Sequence, residues 1–538
     1  MSIPSLGTFD YVIVGGGSAG CVLANRLSAD PSVRVCLLEA GDTDWYPWIH
    51  VPIGYFFTIN NPRTDWCYAS EPEPNLAGRS IKYPRGRVLG GSSSINAMVY
   101  IRGHSADYDG WAQQGNQGWS WDDVLPYFKK SEDHYLGANA AHGAGGELRV
   151  EGLRASWEIL DAFCDAAVEC GIPRTEDFNA GDNFGVGYFQ VTQRNGVRMS
   201  TARAFLKPVR HRPNLSVFTK TQVARLNLEG RRATGLTALR DGQELQVQAK
   251  REVILSAGSI GSPQILMLSG IGDGAALSDL GLNVQHNLKG VGKNLQDHIA
   301  MRTMLRVADT VTLNQQASTL GGRLKMGLDY VFKRKGPLTI PPALVNAFLR
   351  SDPSQPIPDL QFVCYPVTYE KLGDMPHHFP GFTAGVCLLH PESRGSVTLK
   401  SANPLDAPAV HLNFLNTEND RRTALAGVRA LRQVCQAPAM QRFSPSEFLP
   451  GDHIQDDDEL LEGIAKMAGT IFHPVGTCKM GQDPDAVVDA QLRVHGIEGL
   501  RVVDASIMPT IITGNTNATA IMIGEKAADM ILGDARRG

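Results

Sequence analysis

Residues 11–20 read YVIVGGGSAG, and the fold turns on this stretch. Tyr11, Val12, Ile13 and Val14 form an unbroken run of β-branched and aromatic side chains, which predicts a short strand covered on both faces, as in a parallel sheet. Gly15, Gly17 and Gly20 follow at once in G-x-G-x-x-G spacing. The first permits a tight turn, the second lets a pyrophosphate approach the backbone, and the third lets helix pack on strand. A helix comes next, with Cys21, Val22, Ala24 and Leu27 as its apolar stripe and its free N–H groups, from Ser18 and Ala19 on, facing the ligand. A second strand at residues 33–38 ends at Glu39, 19 residues beyond Gly20, where a carboxylate meets the ribose hydroxyls of an adenine dinucleotide. Residues 16–20 also fit G-x-S-x-G, the nucleophile elbow of serine hydrolases. An elbow strand needs earlier strands and an upstream oxyanion loop, and only ten residues precede this one.

At 538 residues the chain is too long for one core, and two domains are expected. Its 43% hydrophobic and 20% charged residues suit a soluble globular protein. The net charge of −4 and the lack of lysine and arginine runs give nucleic acid no electrostatic basis as a partner. Nine cysteines, odd in number, scattered and never in C-x-x-C spacing, suggest reduced thiols in a cytoplasmic setting and no metal site. No signal-like start and no run of about 18 apolar residues is present, so no transmembrane helix is expected. Peripheral contact with the inner membrane stays open. Residues 45–59, WYPWIHVPIGYFFTI, are unusually aromatic and are expected to form a lid or wall of the ligand pocket.

A second informative stretch is residues 84–109, PRGRVLGGSSSINAMVYIRGHSADYD. Gly90 and Gly91 open a turn, Ser92, Ser93 and Ser94 offer hydroxyls and N–H groups, and a helix is expected to start at about Asn96. This is a polar pocket for a planar heteroaromatic ring or a phosphate, and the residues alone do not name the ligand. Together with Tyr100, Gly103 and Asp109, the run GRVLGGSSSIN resembles the first signature of the glucose-methanol-choline oxidoreductases. Residues 258–272, GSIGSPQILMLSGIG, resemble the second. The resemblance runs nearly end to end, through LLEAG at 37–41, GVGKNLQDH at 290–298, HPVGTCKMG at 473–481, RVVDASIMP at 501–509 and GNTNA at 514–518. Within the family it leans to the choline dehydrogenases and the bacterial aliphatic alcohol dehydrogenases.

That resemblance implies an α/β (α+β overall) protein, with a Rossmann-type FAD-binding domain and a substrate domain of antiparallel sheet flanked by helices. The first would comprise residues 1–153, 200–300 and 468–538, the second 154–199 and 301–467. It implies FAD bound by Gly15, Gly17, Ser18, Ala19, Gly20, Glu39, Ala40, Arg87, Gly91, Ser92, Asn96, Ala97, Met98, Val99, Val223, Ala257, Asp504, Ala505, Asn515 and Thr516. Some relatives attach FAD through a histidine in this first signature; Ile95 precedes Asn96 here and cannot form that bond, so FAD is expected to be non-covalent.

Between these landmarks a helix is expected near residues 157–170, and short strands at 215–219, 223–228, 235–240, 244–249 and 252–256 read as a β-meander. Further strands are expected at 360–365, 382–389 and 396–400, with helices near 423–436 and 458–469. Tyr365, Tyr369, Phe382 and His390 are candidate pocket liners.

The chemistry is expected from two C-terminal pieces. His473 stands before Pro474, and a residue before proline is pushed toward extended geometry, which projects the imidazole from a loop. Residues 514–517, GNTN, precede a helix at 519–532. The resemblance makes His473 the catalytic base and gives a primary alcohol oxidised to an aldehyde by proton abstraction and hydride transfer to flavin N5. A near-ordinary imidazole pKa of about 6.5 would suit the base. Asn517 would hydrogen-bond the developing alkoxide, and the N-terminus of the last helix would favour the anionic reduced flavin. The expected acceptor is a quinone or other carrier, with an oxygen-using oxidase, a choline dehydrogenase and a non-redox lyase as alternatives. Choline would need a carboxylate and an aromatic cage, for which Glu370, Glu392, Tyr365 and Tyr369 are the available residues.

Overall fold

In the computed structural model, which describes residues 3–370 and 374–537, the apolar run at 11–14 is the buried end of a longer strand, β1 (Ser5–Val14). The glycine turn leads into α1 (Ser18–Leu27), and β2 (Val35–Leu38) returns parallel to β1. Four more of the seven strands of this sheet are β3 (Leu215–Phe218), β4 (Gln222–Glu229), β5 (Arg232–Arg240) and β6 (Gln243–Leu255). Their spatial order is β3-β2-β1-β6-β5-β4. Val12 lies between Cys36 of β2 and Val253 of β6, and all three are buried, as strands covered on both faces require.

The expected meander is therefore only partly a meander. Leu215–Phe218 pairs parallel with β2 instead of with its neighbour in sequence. The segments at 244–249 and 252–256 are one strand, β6, whose register against β1 shifts between Phe9 and Tyr11. The first half of β6 pairs antiparallel with β5, and its second half takes a parallel partner, β7 (Leu500–Val502). On that flank β6 is thus paired by two successive neighbours, over residues 243–248 and 253–255, which an alternation pattern cannot reveal.

Two helices complete this half of the molecule. α2 (Gly258–Leu268) follows β6 directly, and α3 (Asn517–Arg537) packs along α1. The backbones come close at Gly524, where a Cβ would sit 3.0 Å from the Ala19 carbonyl oxygen.

The second sheet is antiparallel throughout, in the order Ser446–Leu449, Ile299–Arg306, Gly381–Leu388, Leu360–Tyr365, Val345–Leu349, Gly185–Tyr188, with Gly469–Thr470 pairing beside Ile299–Arg306. Helices Glu158–Glu169 and Glu418–Gln436 cover one face. The other face roofs a cavity shared with the first sheet, and the two-residue period of strands decides which side chains see it. Arg302, Gly385 and Val363 are neighbours in one row and line the cavity, as do Gln361 and Tyr365. Phe382 has the opposite parity. It is buried against Phe163 of the covering helix, ring centroids 5.7 Å apart, and so does not line the pocket as its sequence context suggested.

Candidate active site

The glycine turn is shaped by two close approaches and one opening. Gly15 has φ +101°, and a Cβ there would lie 2.4 Å from the Ser256 carbonyl oxygen of the adjoining turn. A Cβ on Gly20 would lie 1.9 Å from the Gly15 carbonyl oxygen, so α1 sits directly on the turn. Gly17 is different: the nearest atom to its Cβ position is 3.9 Å away, and the residue borders a cavity of about 720 Å³. The second glycine pair packs on the first, since a Cβ on Gly91 would come within 2.7 Å of the Gly17 Cα. Residues 91–94 form a single 3-10 turn, and no helix starts at Asn96. The Asn96 amide oxygen accepts from the Met98 N–H at 2.9 Å and from Arg198 at 2.8 Å, holding Met98 at φ +61°.

Of the residues expected at the cofactor, Gly20 and Arg87 do not line the cavity and all the others do. Gly20 acts through backbone packing, and the Arg87 guanidinium lies over the Trp66 ring at 4.8 Å. Glu39 borders the cavity, yet its two oxygens accept from the Gly16 and Gly41 N–H groups, each at 2.8 Å. Burial pushes its carboxyl up to about 7. The Asp504 carboxylate accepts from the Gly258 N–H at 2.9 Å, the Ser262 hydroxyl at 2.6 Å and the Ser506 N–H at 2.8 Å, which ties β7 to the start of α2. Ser18 donates to the Asn517 amide oxygen at 2.7 Å. The N-termini of α1 and α3 therefore converge on one cavity wall, and both present positive partial charge there.

The imidazole of His473 faces the same cavity. Its loop is held by Asp297, which accepts from the His473 N–H at 2.7 Å and from the hydroxyls of Tyr83 and Thr470, both at 2.6 Å. The preceding Phe472 adopts φ +70°, and its carbonyl accepts from Arg85 at 2.7 Å. Both ring nitrogens of His473 are engaged. Nε2 is 2.9 Å from the Asn515 amide nitrogen, and Nδ1 is 2.9 Å from Nδ1 of His298, whose own Nε2 is 3.1 Å from the Leu389 carbonyl oxygen.

The proton positions follow from what each atom can do. A carbonyl only accepts, so His298 carries its proton on Nε2 and its Nδ1 accepts. His473 then donates from Nδ1, leaving Nε2 with a lone pair, and the Asn515 amide donates to that lone pair. The chain is consistent from both ends. Burial, then His298 and Arg85, hold the His473 pKa well below the ordinary value, and burial pulls His298 down to about 3, so both rings are neutral near neutrality. The shift departs from the near-ordinary base expected above, and desolvation is its physical reason.

Two further readings change. The amide beside His473 belongs to Asn515, not Asn517: Asn517 is the first residue of α3 and turns toward α1. His298, the last residue of the GVGKNLQDH run, was given no role on sequence; its pairing with His473 spans 175 residues and leaves no local pattern. His390, expected in the pocket, instead bonds the Thr513 hydroxyl at 3.0 Å behind the wall.

The far end of the cavity is aromatic. Tyr365 and Tyr369 stack with centroids 6.3 Å apart, and the Arg302 guanidinium lies over Tyr369 at 5.7 Å. Tyr55 and Ile59, from the aromatic segment at 45–59, close one side. Neither Glu370 nor Glu392 reaches the cavity: Glu370 pairs with His377 at 3.1 Å and Glu392 accepts from Asn419 at 3.1 Å. The carboxylates that do line it, Glu39 and Asp504, belong to the other end.

Comparison with known proteins agrees with this architecture. Two family models, both described as GMC oxidoreductase, match residues 9–300 and 391–524. The chain is similar to an alcohol dehydrogenase [acceptor] of Pseudomonas putida, 45% identical over 97% of this chain and 96% of the relative. It is similar also to the mitochondrial choline dehydrogenase of Homo sapiens, 43% identical over 98% and 90% of the two chains. Among solved structures, an FAD-dependent oxidoreductase from Chaetomium thermophilum superposes with a TM-score of 0.91 at 27% identity, covering 98% of this chain and 100% of the other. The likeness extends through both sheets and both glycine turns, and the chain belongs to the glucose-methanol-choline (GMC) oxidoreductase family.

Proposed function

We propose that this chain oxidises a primary alcohol with an aliphatic or aryl tail to the aldehyde, with non-covalent FAD along the β1–α1 turn and His473 as base. The observation that carries the reading is the direction of the proton chain, which leaves an unprotonated Nε2 on His473, approached by the Asn515 amide, at the cavity that the glycine turn also lines. The residues present fit FAD. Gly17 leaves room for a pyrophosphate, two helix N-termini face that space, and the buried Asn515 amide oxygen has no partner within the protein, as expected of a group aimed at a ligand. Ile95 borders the cavity with an aliphatic side chain, which supports attachment without a covalent bond.

When bound, FAD takes up the hydride from the alcohol's α-carbon. The protein does the rest. Nε2 of His473 accepts the hydroxyl proton, and the Asn515 N–H, released from Nε2, donates to the alkoxide oxygen as charge develops there. His473 keeps its Nδ1–H on His298, so the ring does not turn while its other nitrogen changes protonation. His298 is in this sense a positioning residue. The final electron acceptor is a quinone or another carrier; hydrogen peroxide released in turnover would instead mark an oxidase.

The Arg302 guanidinium argues against choline. It already occupies a face of Tyr369, and a quaternary ammonium there would meet a like charge, with no carboxylate beside it among the described residues that line the cavity to offset it. With a soluble dye as acceptor, 1-octanol is expected to show a kcat/KM at least about tenfold above that of choline. Choline equal to or better than octanol would overturn the substrate assignment.

A further inference from the structure

The helix Leu320–Lys333 carries its apolar side chains outward. Leu320, Leu324, Leu328, Val331 and Phe332 are between 48% and 85% exposed, and among its residues Tyr330 is the buried one. At 3.6 residues per turn the five exposed side chains lie within an arc of about 120°. Arg323 and Lys325 flank that arc on either side, and Lys333, Arg334 and Lys335 close its C-terminal end. These five cations face one acid in the segment, Asp329, which pairs with Lys333 at 2.8 Å, in a protein whose net charge is −4. A wide apolar stripe turned to water is unfavourable for a free globular surface and marks a contact face.

The neighbouring surface has the same character. The helix packs on the turn Pro337–Thr339, which packs on the turn Pro52–Gly54 of the aromatic segment. From that segment Trp45 is 78% exposed, and Trp48 and Phe57, both exposed, lie with ring centroids 4.2 Å apart. Tryptophan beside a leucine stripe and a basic rim is the composition of a helix lying in a lipid headgroup layer.

We propose that this face docks on the surface of an anionic lipid bilayer, with the helix Leu320–Lys333 lying in the interface plane. Among the described residues no helix is long and apolar enough to cross a membrane, so the contact is peripheral. Charge decides the occupant. Anionic headgroups complement the basic rim, whereas a second copy using the same patch would set the five cations against themselves. Tyr55, Ile59, Pro342 and Ala343, close in sequence to this surface, line the cavity, which would place the substrate cavity near the bilayer. That consequence rests on the alcohol-oxidising function proposed above; the docking does not.

The test is flotation of the FAD-loaded full chain with phosphatidylcholine vesicles, with and without phosphatidylglycerol. The protein is expected to float with the anionic vesicles. Leu324→Glu/Leu328→Glu is expected to lower the bound fraction at least about tenfold while alcohol turnover with a soluble dye stays unchanged. Lys325→Glu/Lys333→Glu is expected to abolish the phosphatidylglycerol dependence, and Phe332→Ser serves if the paired glutamates prevent folding. The proposal is overturned if the wild type does not float, if the leucine variant floats like the wild type, or if without lipid the wild type is a dimer that the variant splits. A lack of alcohol turnover in every preparation would remove the functional reading and leave the flotation result intact.

Discussion

Replacing His473 by alanine is expected to leave FAD bound and to slow anaerobic flavin reduction by alcohol about 10²–10⁴-fold, the usual contribution of a positioned general base. Among the described residues that line the cavity, His473 is the one imidazole, and its Nε2 lone pair is held in place through Nδ1 by His298 and through its backbone N–H by Asp297. Removing the ring takes away the proton acceptor and leaves Nδ1 of His298 buried without a donor, at a cost of about 1–3 kcal/mol in stability. His473→Gln separates the two effects, because glutamine can donate to His298 but is no base. Both variants are expected to lose the rate, with the loss of thermal stability smaller in the glutamine variant. Full-rate bleaching of the flavin in either would remove His473 from the base role.

Two alanines in the glycine turn are expected to fail in opposite ways. Gly20→Ala forces a Cβ to within 1.9 Å of the Gly15 carbonyl oxygen. Backbone lies on both sides of that contact, so α1 must lift from β1, and a stability loss of ~3 kcal/mol or more is expected, at the upper end of the overpacking range. Gly17→Ala meets nothing closer than 3.9 Å, and its φ of −83° suits any residue. That apoprotein is expected to melt within about 1 °C of the parent, since a well-accommodated surface change is nearly neutral. Its added methyl fills the space left for the pyrophosphate, and FAD affinity is expected to fall about 10–10²-fold. Thermal melts of both apoproteins with FAD titrations give the answer. Unchanged FAD affinity in Gly17→Ala would show that the cofactor does not lie along this turn.

What could be read from sequence follows the range of the interactions involved. The β1–α1–β2 unit was legible because its glycines, apolar run and Glu39 all act within 40 residues, and each demands a particular residue type. The roof strand Leu360–Tyr365 was legible from its apolar run, but Phe382 was assigned to the wrong face because a one-residue difference in parity exchanges core for cavity. The strand at 243–255 was split in two because its charged middle, Lys250 to Glu252, looks like a turn, whereas β1 on one flank and two successive partners on the other keep it extended. Asn515 and Asn517 are indistinguishable as residue types. The tight backbone at Gly514, φ +135°, sends one amide to His473 and leaves the other to open α3. The histidine pair and the outward leucines of Leu320–Lys333 were missed for related reasons: a periodic apolar stripe states that a face will be covered, and only tertiary structure shows whether the protein itself covers it.

The claim on which the rest depends is that a neutral His473, with its lone pair on Nε2, takes the alcohol's proton. Its pKa is lowered by burial, so the proton-accepting form persists at pH 6.5, where an ordinary imidazole would be half protonated, and declines only as pH falls through the lowered value. The most direct measurement is the pH dependence of anaerobic flavin reduction in the wild type and in His473→Gln. The account predicts a wild-type rate that stays level down to pH 6.5 and falls only below it, with that acid limb absent from the variant. A wild-type midpoint at or above pH 6.5, or the same limb in the variant, would contradict it.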